Sequence, residues 1–86
     1  MYKITFKKKA AKELRKIPSV FLNNIVVAID GLAENPRPDN SKKLKASKEN
    51  IWRIRIGNYR VLYLIDDGIR IVNIRKVAHR KDVYKS

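Results

Sequence analysis

The sequence predicts an α+β domain in the order β-α-α-β-β-β, with an antiparallel sheet and an N-terminal helical hairpin packed on one face. Three observations carry that expectation. Apolar residues recur at helical spacing between residues 10 and 32, and they alternate with polar residues from 51 onward. Two short turn signals, Gly57-Asn58 and Asp67-Gly68, divide the alternating half into three strands.

Each element has its own warrant. Tyr2 to Phe6 alternates and is rich in β-formers, so it reads as a first strand. Ala10, Ala11, Leu14 and Ile17 then share one helical face, with lysines and Arg15 on the other, and Pro18 interrupts the helix. A second helix starts with Ser19 as its cap, runs its apolar face through Phe21, Ile25, Ala28, Ile29 and Leu32, and stops at Asn35-Pro36. Residues 36–50 are polar and lysine-rich and read as a loop anchored by Leu44. The strands follow: Ile51 to Ile56, Tyr59 to Ile65, and Ile69 to Val77, with the basic tail AHRKDVYKS closing the chain.

The 86 residues make one domain, 1–86, large enough to fold on its own core. With no cysteine, neither a disulfide framework nor a thiolate metal site is available, and the fold rests on packing. No apolar run approaches the length of a membrane span and no signal-peptide pattern opens the chain, so the expected location is the cytoplasm. Lys+Arg is 21 against Asp+Glu 8, a net charge of +13. Such a surplus repels itself in a compact state and points to a polyanionic partner: nucleic acid, an anionic surface or an acidic protein.

Turn length sets register, and register sets which side chains share a face. A two-residue turn at Gly57-Asn58 places Ile56 against Tyr59, Arg55 against Arg60, Ile54 against Val61 and Trp52 against Tyr63. Trp52, Ile54, Ile56, Val61 and Tyr63 then form the core face, and Arg53, Arg55 and Arg60 project from the other. A two-residue turn at Asp67-Gly68 adds Arg75 to them, directly opposite Arg60, whereas a three-residue loop at Asp66 to Gly68 would flip the last strand and remove Arg75 from the set. Like charges so placed oppose folding, and no acid within the strands offers a partner. Guanidinium groups gathered at that cost suit an external anion, above all phosphate, which they grip bidentately.

The tail adds His79, Arg80, Lys81 and Tyr84 directly after the last strand. His79 is the only side chain whose unperturbed pKa lies near neutrality, which makes it the natural proton acceptor if it reaches the arginine face. Tyr84 either stacks on a nucleobase or latches the tail onto the sheet. Lys42, Lys43 and Lys45 lie ahead of the sheet as candidate contacts to a phosphate backbone. The acids are scattered, so no metal site is visible, and no phosphate-cradling Gly-rich loop or nucleophile elbow occurs. No cofactor is expected.

The KKLK stretch before the sheet, the run WRIRIGNYRVLY, the DDG turn and the ending VAHRKDVY together resemble the RelE/ParE superfamily of toxins from type II toxin–antitoxin pairs. The likeness covers essentially the whole chain and is nearer to the RelE branch. It implies a ribosome-dependent endoribonuclease that cleaves mRNA without a metal, by 2′-hydroxyl attack that yields a 2′,3′-cyclic phosphate. It also implies a cognate acidic, RelB-like antitoxin. By the same resemblance, Arg60 matches the arginine on the scissile phosphate, Arg80 a residue serving the leaving group, and Tyr84 a tyrosine that stacks on the base. Arg53 and Arg55 stand where relatives commonly carry lysines. An arginine is too basic to serve as a general base, so His79, Tyr84 or the ribosome must take the proton, with His79 the better base. The competing expectations are a ParE-like gyrase poison, which is no enzyme, and a basic RNA-binding module without catalysis.

Overall fold

The computed structural model describes residues 1–84. Its elements are β1 (Lys3–Phe6), α1 (Lys8–Arg15), α2 (Ser19–Gly31), β2 (Ser41–Lys43), β3 (Ile51–Ile56), β4 (Tyr59–Asp66) and β5 (Ile71–His79). The five strands form one sheet in the order β1-β5-β4-β3-β2. The chain enters at one edge, crosses one face through both helices, and re-enters at the opposite edge.

The core lies between that face and the helices. Ala10 and Ile17 from the first helical segment, and Ile25, Ile29 and Leu32 from the second, pack with Ile54, Val61, Tyr63, Ile65, Val72, Ile74 and Val77. Burying a side chain of the Ile or Val type contributes roughly 1.5–3 kcal/mol, which is how a chain without disulfides holds together. Tyr63 is fully buried, and its hydroxyl donates to the Pro36 carbonyl at 2.7 Å. Burial pushes its phenol up to about 12. A second tie closes the far end of the sheet. Arg37 grips Asp67 with two hydrogen bonds, at 2.8 and 3.2 Å, and lies over the Trp52 ring at 5.2 Å. Tyr2 donates to the same carboxylate, and these two donors hold Asp67 down to about 2.

Several local expectations are corrected. Helix α2 starts at Ser19 with Pro18 in the cap position and no side-chain cap bond, because proline has no side-chain acceptor; its carbonyl takes the first helical bonds, from Phe21 and Leu22. The helix ends at Gly31, and turns rather than helix carry the chain to Asn35. Phe21 is half-exposed. The segment expected to be all loop contains the edge strand β2, paired with β3 through backbone bonds that its polar side chains do not advertise. Strand β1 pairs with β5 in parallel, so the sheet is antiparallel everywhere but at that edge.

The β3–β4 register is the expected one, with Gly57 at a φ of 59° in the first turn position. The β4–β5 connection differs. Its turn spans residues 67–70, with Arg70 rather than Gly68 in the left-handed region. The Asp66 carboxylate stabilises this turn by accepting from the Gly68 and Ile69 amides at 3.0 and 3.2 Å. Two extra turn residues preserve alternation, so Val72 and Ile74 still face the core. The pairing then slips between Leu62 and Tyr63, leaving Arg75 as the extra residue of a β-bulge. Strand β1 stops opposite Ile74, and there the Glu13 carboxylate of α1 accepts the Val77 amide at 3.1 Å.

Candidate functional site

Strand alternation carries Arg53 and Arg55 of β3 and Arg60 of β4 to the face away from the helices. Arg55 lies directly opposite Arg60, as the turn length required. The Arg60 guanidinium is held by its own hairpin, where its Nη1 donates to the carbonyls of Gly57 and Tyr59, each at 2.9 Å. On the other side of Arg53, β2 sets Lys42 directly opposite. None of these four cations is joined to a carboxylate among the described residues.

The tail completes the cluster. The Arg80 amide donates to the Asn58 carbonyl at 2.7 Å, which ties the tail to the hairpin tip. The amides of Asp82 and Val83 then turn back onto the His79 carbonyl at 2.8 and 3.0 Å. Val83 is 1% exposed yet lies outside the helix-side core, whereas Tyr84 is 62% exposed. Val83 is therefore the latch, and the Tyr84 ring is left available. Partial burial, the fields of Arg55 and Arg53, and that of Arg80 lower the Arg60 guanidinium from its ordinary pKa, while Tyr84 pulls the other way. Arg60 therefore feels the charges of Arg55, Arg53, Arg80 and Tyr84.

Other expected members are elsewhere. The bulge reverses alternation beyond Arg75, so Val77 and His79 face the helices and Ala78 sits opposite Arg60. Arg75 thus is not the neighbour of Arg60. Its Nε donates to Asn73 at 2.7 Å and it pairs with Glu49 at 3.5 Å, an acid just ahead of β3. His79 packs edge-on against Tyr59, with ring centroids 5.7 Å apart, and its Nδ1 accepts the Lys81 amide at 3.2 Å. The imidazole is therefore on the opposite side of the sheet from the arginines. Lys43, opposite Trp52, also faces the helix side. Lys45 stands exposed in the loop after β2, and Lys81 is exposed in the tail turn. Lys76, which the sequence reading missed, takes the position opposite Leu62 on the arginine face. Only knowledge of the bulge would have found it. Among the described residues no group of three His, Cys, Asp or Glu gathers as a metal site would require.

A small α+β domain with a helix-covered face, and with three arginines on the bare face, defines a basic domain with a cationic sheet surface. Comparison with known proteins narrows that class. The family described as ParE toxin of type II toxin-antitoxin system, parDE, matches residues 4–84. Toxin RelG of Mycobacterium tuberculosis is 34% identical over 85 residues, covering 98% of this chain and 97% of its own. Toxin RelE of the same organism is 31% identical over 84 residues, covering 98% and 87%. Among solved structures, the M. tuberculosis toxin-antitoxin complex RelBE2 superposes with a TM-score of 0.80 at 32% identity, covering 92% of this chain and 98% of that one. The intact E. coli RelBE complex gives 0.79 at 26% identity, covering 92% and 96%. The chain belongs to the ParE/RelE family of type II toxins, on its RelE-like branch.

Proposed function

We propose that this toxin is an endoribonuclease that cleaves mRNA on the ribosome, with the bare face of the sheet as its reaction site. The observation that carries the reading is that Arg53, Arg55 and Arg60 share that face, with the Arg80 backbone tied to the adjoining hairpin tip and no carboxylate joined to these arginines among the described residues. In the proposed reaction the 2′-oxygen attacks the adjacent phosphorus and the bond to the 5′-oxygen breaks. A 2′,3′-cyclic phosphate and a free 5′-hydroxyl result, and water is not consumed. Negative charge builds on the phosphoryl oxygens in the transition state, and preorganised donors at that point are the strongest lever such a site has.

Arg60, fixed by two backbone carbonyls, holds the scissile phosphate in this scheme; Arg55, directly opposite, shares its charge, and Arg53 acts on it only through its field from two residues along β3. Arg80 faces the departing 5′-oxygen, and the exposed Tyr84 ring stacks on the base beside the cut. The proton of the 2′-hydroxyl passes neither to an arginine, which is too basic, nor to His79, which is across the sheet. With the Tyr84 ring stacked on the base in this scheme, that role falls to a group that the ribosome brings or orients, and this supports a reaction confined to translating complexes. The partner that silences the site is an acidic antitoxin of the RelB kind. Its charge complements the +13 of this chain, and solved relatives on which this chain superposes include the toxin–antitoxin complexes named above.

The test is primer extension on a reporter message in a translating extract, with wild-type protein and Arg60→Ala. Codon-phased cuts that require translation and vanish in the variant are the expected result. A message that stays intact while growth stops refutes the nuclease reading and directs attention to DNA gyrase, the target of ParE-like toxins.

A further inference from the structure

Four of the cations on the bare face form two pairs. Arg55 is directly opposite Arg60 across the β3–β4 boundary, and Arg53 is directly opposite Lys42 across the β2–β3 boundary. Each pair sets like charges against each other, an arrangement that opposes folding unless an anion lies between them. On its β4 side Arg53 meets Leu62, an apolar residue, so the second pair is not a continuation of the first. The two pairs are two residues apart along β3, about 6.6–6.8 Å for an extended chain. That step is comparable to the one between successive phosphates of an extended RNA strand.

A notch of about 320 Å³ opens at the second pair, lined by Lys42, Arg53 and Arg55 with Asp39, Asn40 and Ser41. The Nε of Arg53, one of its lining residues, is buried without a hydrogen-bond partner among the described residues. A buried guanidinium N–H is normally satisfied, and one left open beside two further cations marks the place of a missing acceptor. Asn40 is already engaged, donating to the Arg55 carbonyl at 2.9 Å, and the Ser41 hydroxyl donates to Pro38 at 2.6 Å. The acceptor must therefore satisfy the cations rather than these polar groups. Asp39 on the rim disfavours a free anion, so the notch suits an anion delivered on a strand anchored elsewhere.

We propose that Lys42 and Arg53 form a second phosphate subsite, which holds the backbone phosphate next to the one held at Arg55 and Arg60. The ligand class is a single RNA strand with at least two successive phosphates. The proposal rests on the nuclease reading above, and the experiment separates the two.

The probe is a 2′-O-methyl trinucleotide, which lacks the nucleophile, with both linkages charged or with one or the other replaced by a neutral methylphosphonate. Binding is measured by fluorescence anisotropy at low salt for wild-type protein and Lys42→Gln, an exposed position where the substitution leaves the core untouched. Wild-type protein should prefer the fully charged strand over either neutralised one by about fivefold, the upper range for an exposed ion pair. In Lys42→Gln the preference should collapse, and the slope of log affinity against log salt should fall by about 0.7. The Arg53 Nε–Hε NMR resonance should shift on adding the charged strand to wild-type protein. Equal binding of the strands by wild-type protein, an unchanged preference in Lys42→Gln, or an unmoved Arg53 resonance overturns the subsite. None of those results touches the nuclease reading, which fails only if Arg60→Ala still cleaves.

Discussion

Arg55→Glu should make this protein more stable and less active at once. Arg55 is exposed and directly opposite Arg60, whose charge is also opposed by Arg53 and Arg80. Cross-strand charge pairs are worth roughly 0.2–1 kcal/mol, attractive or repulsive according to sign. Reversal removes one repulsion and adds one attraction. Because the pair is solvated, the net gain is about 0.5–1 kcal/mol at low salt. In a domain of this size 1 kcal/mol moves Tm by about 4–8 °C, so the expected rise is about 2–8 °C. Thermal unfolding followed by circular dichroism measures it, first at low salt and again at 1 M, where a screening length of ~3 Å should erase the gain. Cleavage of the reporter message should be lost, since the new carboxylate repels the phosphate. An unchanged or lower Tm at low salt refutes the idea that the arginines are held against mutual repulsion, and so does a gain that survives 1 M salt. A stabilised variant that still cleaves removes Arg55 from the site.

Three further outcomes test the frame around it. Asp67 is held at about 2 in the fold, so its contribution is complete above the ordinary carboxylate pKa and is lost as pH falls through 2. Acid melting curves should therefore steepen below about pH 4 in wild-type protein, and Asp67→Asn should flatten that slope. Tyr63 is the opposite case. Its phenol stays neutral in the fold up to about 12, so stability is complete below about 10 and falls as pH rises through 12. Tyr63→Phe should remove that alkaline loss and cost about 1–2 kcal/mol at neutral pH by leaving the Pro36 carbonyl without its donor, measured by urea titration. Val83→Ala deletes two methyl groups of the latch, worth about 1.6 kcal/mol of local burial. Faster tryptic cutting after Arg80 and Lys81, about tenfold slower cleavage of the message and a Tm lower by about 6–13 °C are expected.

The sequence by itself determined the half of this protein that short-range rules govern. Helical spacing in 8–31 and alternation after 51 located the core, because burial selects for those periods. The two residues Gly57-Asn58 left one register for β3 and β4, which put Ile54, Val61 and Tyr63 inside and Arg53, Arg55 and Arg60 outside. Its closing motifs were also enough to suggest the family, which the comparisons bear out.

Tertiary structure decided what depends on residues far apart in the chain. Nothing near Arg75 announces a bulge: it arises where β1 ends beside Ile74 and Glu13, 64 positions away, accepts the Val77 amide. That one inserted residue turned His79 toward Tyr59, removed Arg75 from the cluster and put Lys76 on the arginine face. The four-residue turn after Asp66 came from a side-chain carboxylate capping two amides, which a two-residue hairpin pattern does not reveal. Strand β2 is held by backbone pairing with β3 rather than by its own side chains, and it alone brings Lys42 against Arg53. Local pattern reports which faces are buried. Where the ladder slips, and which charges then meet, is set by partners that only the folded chain brings together.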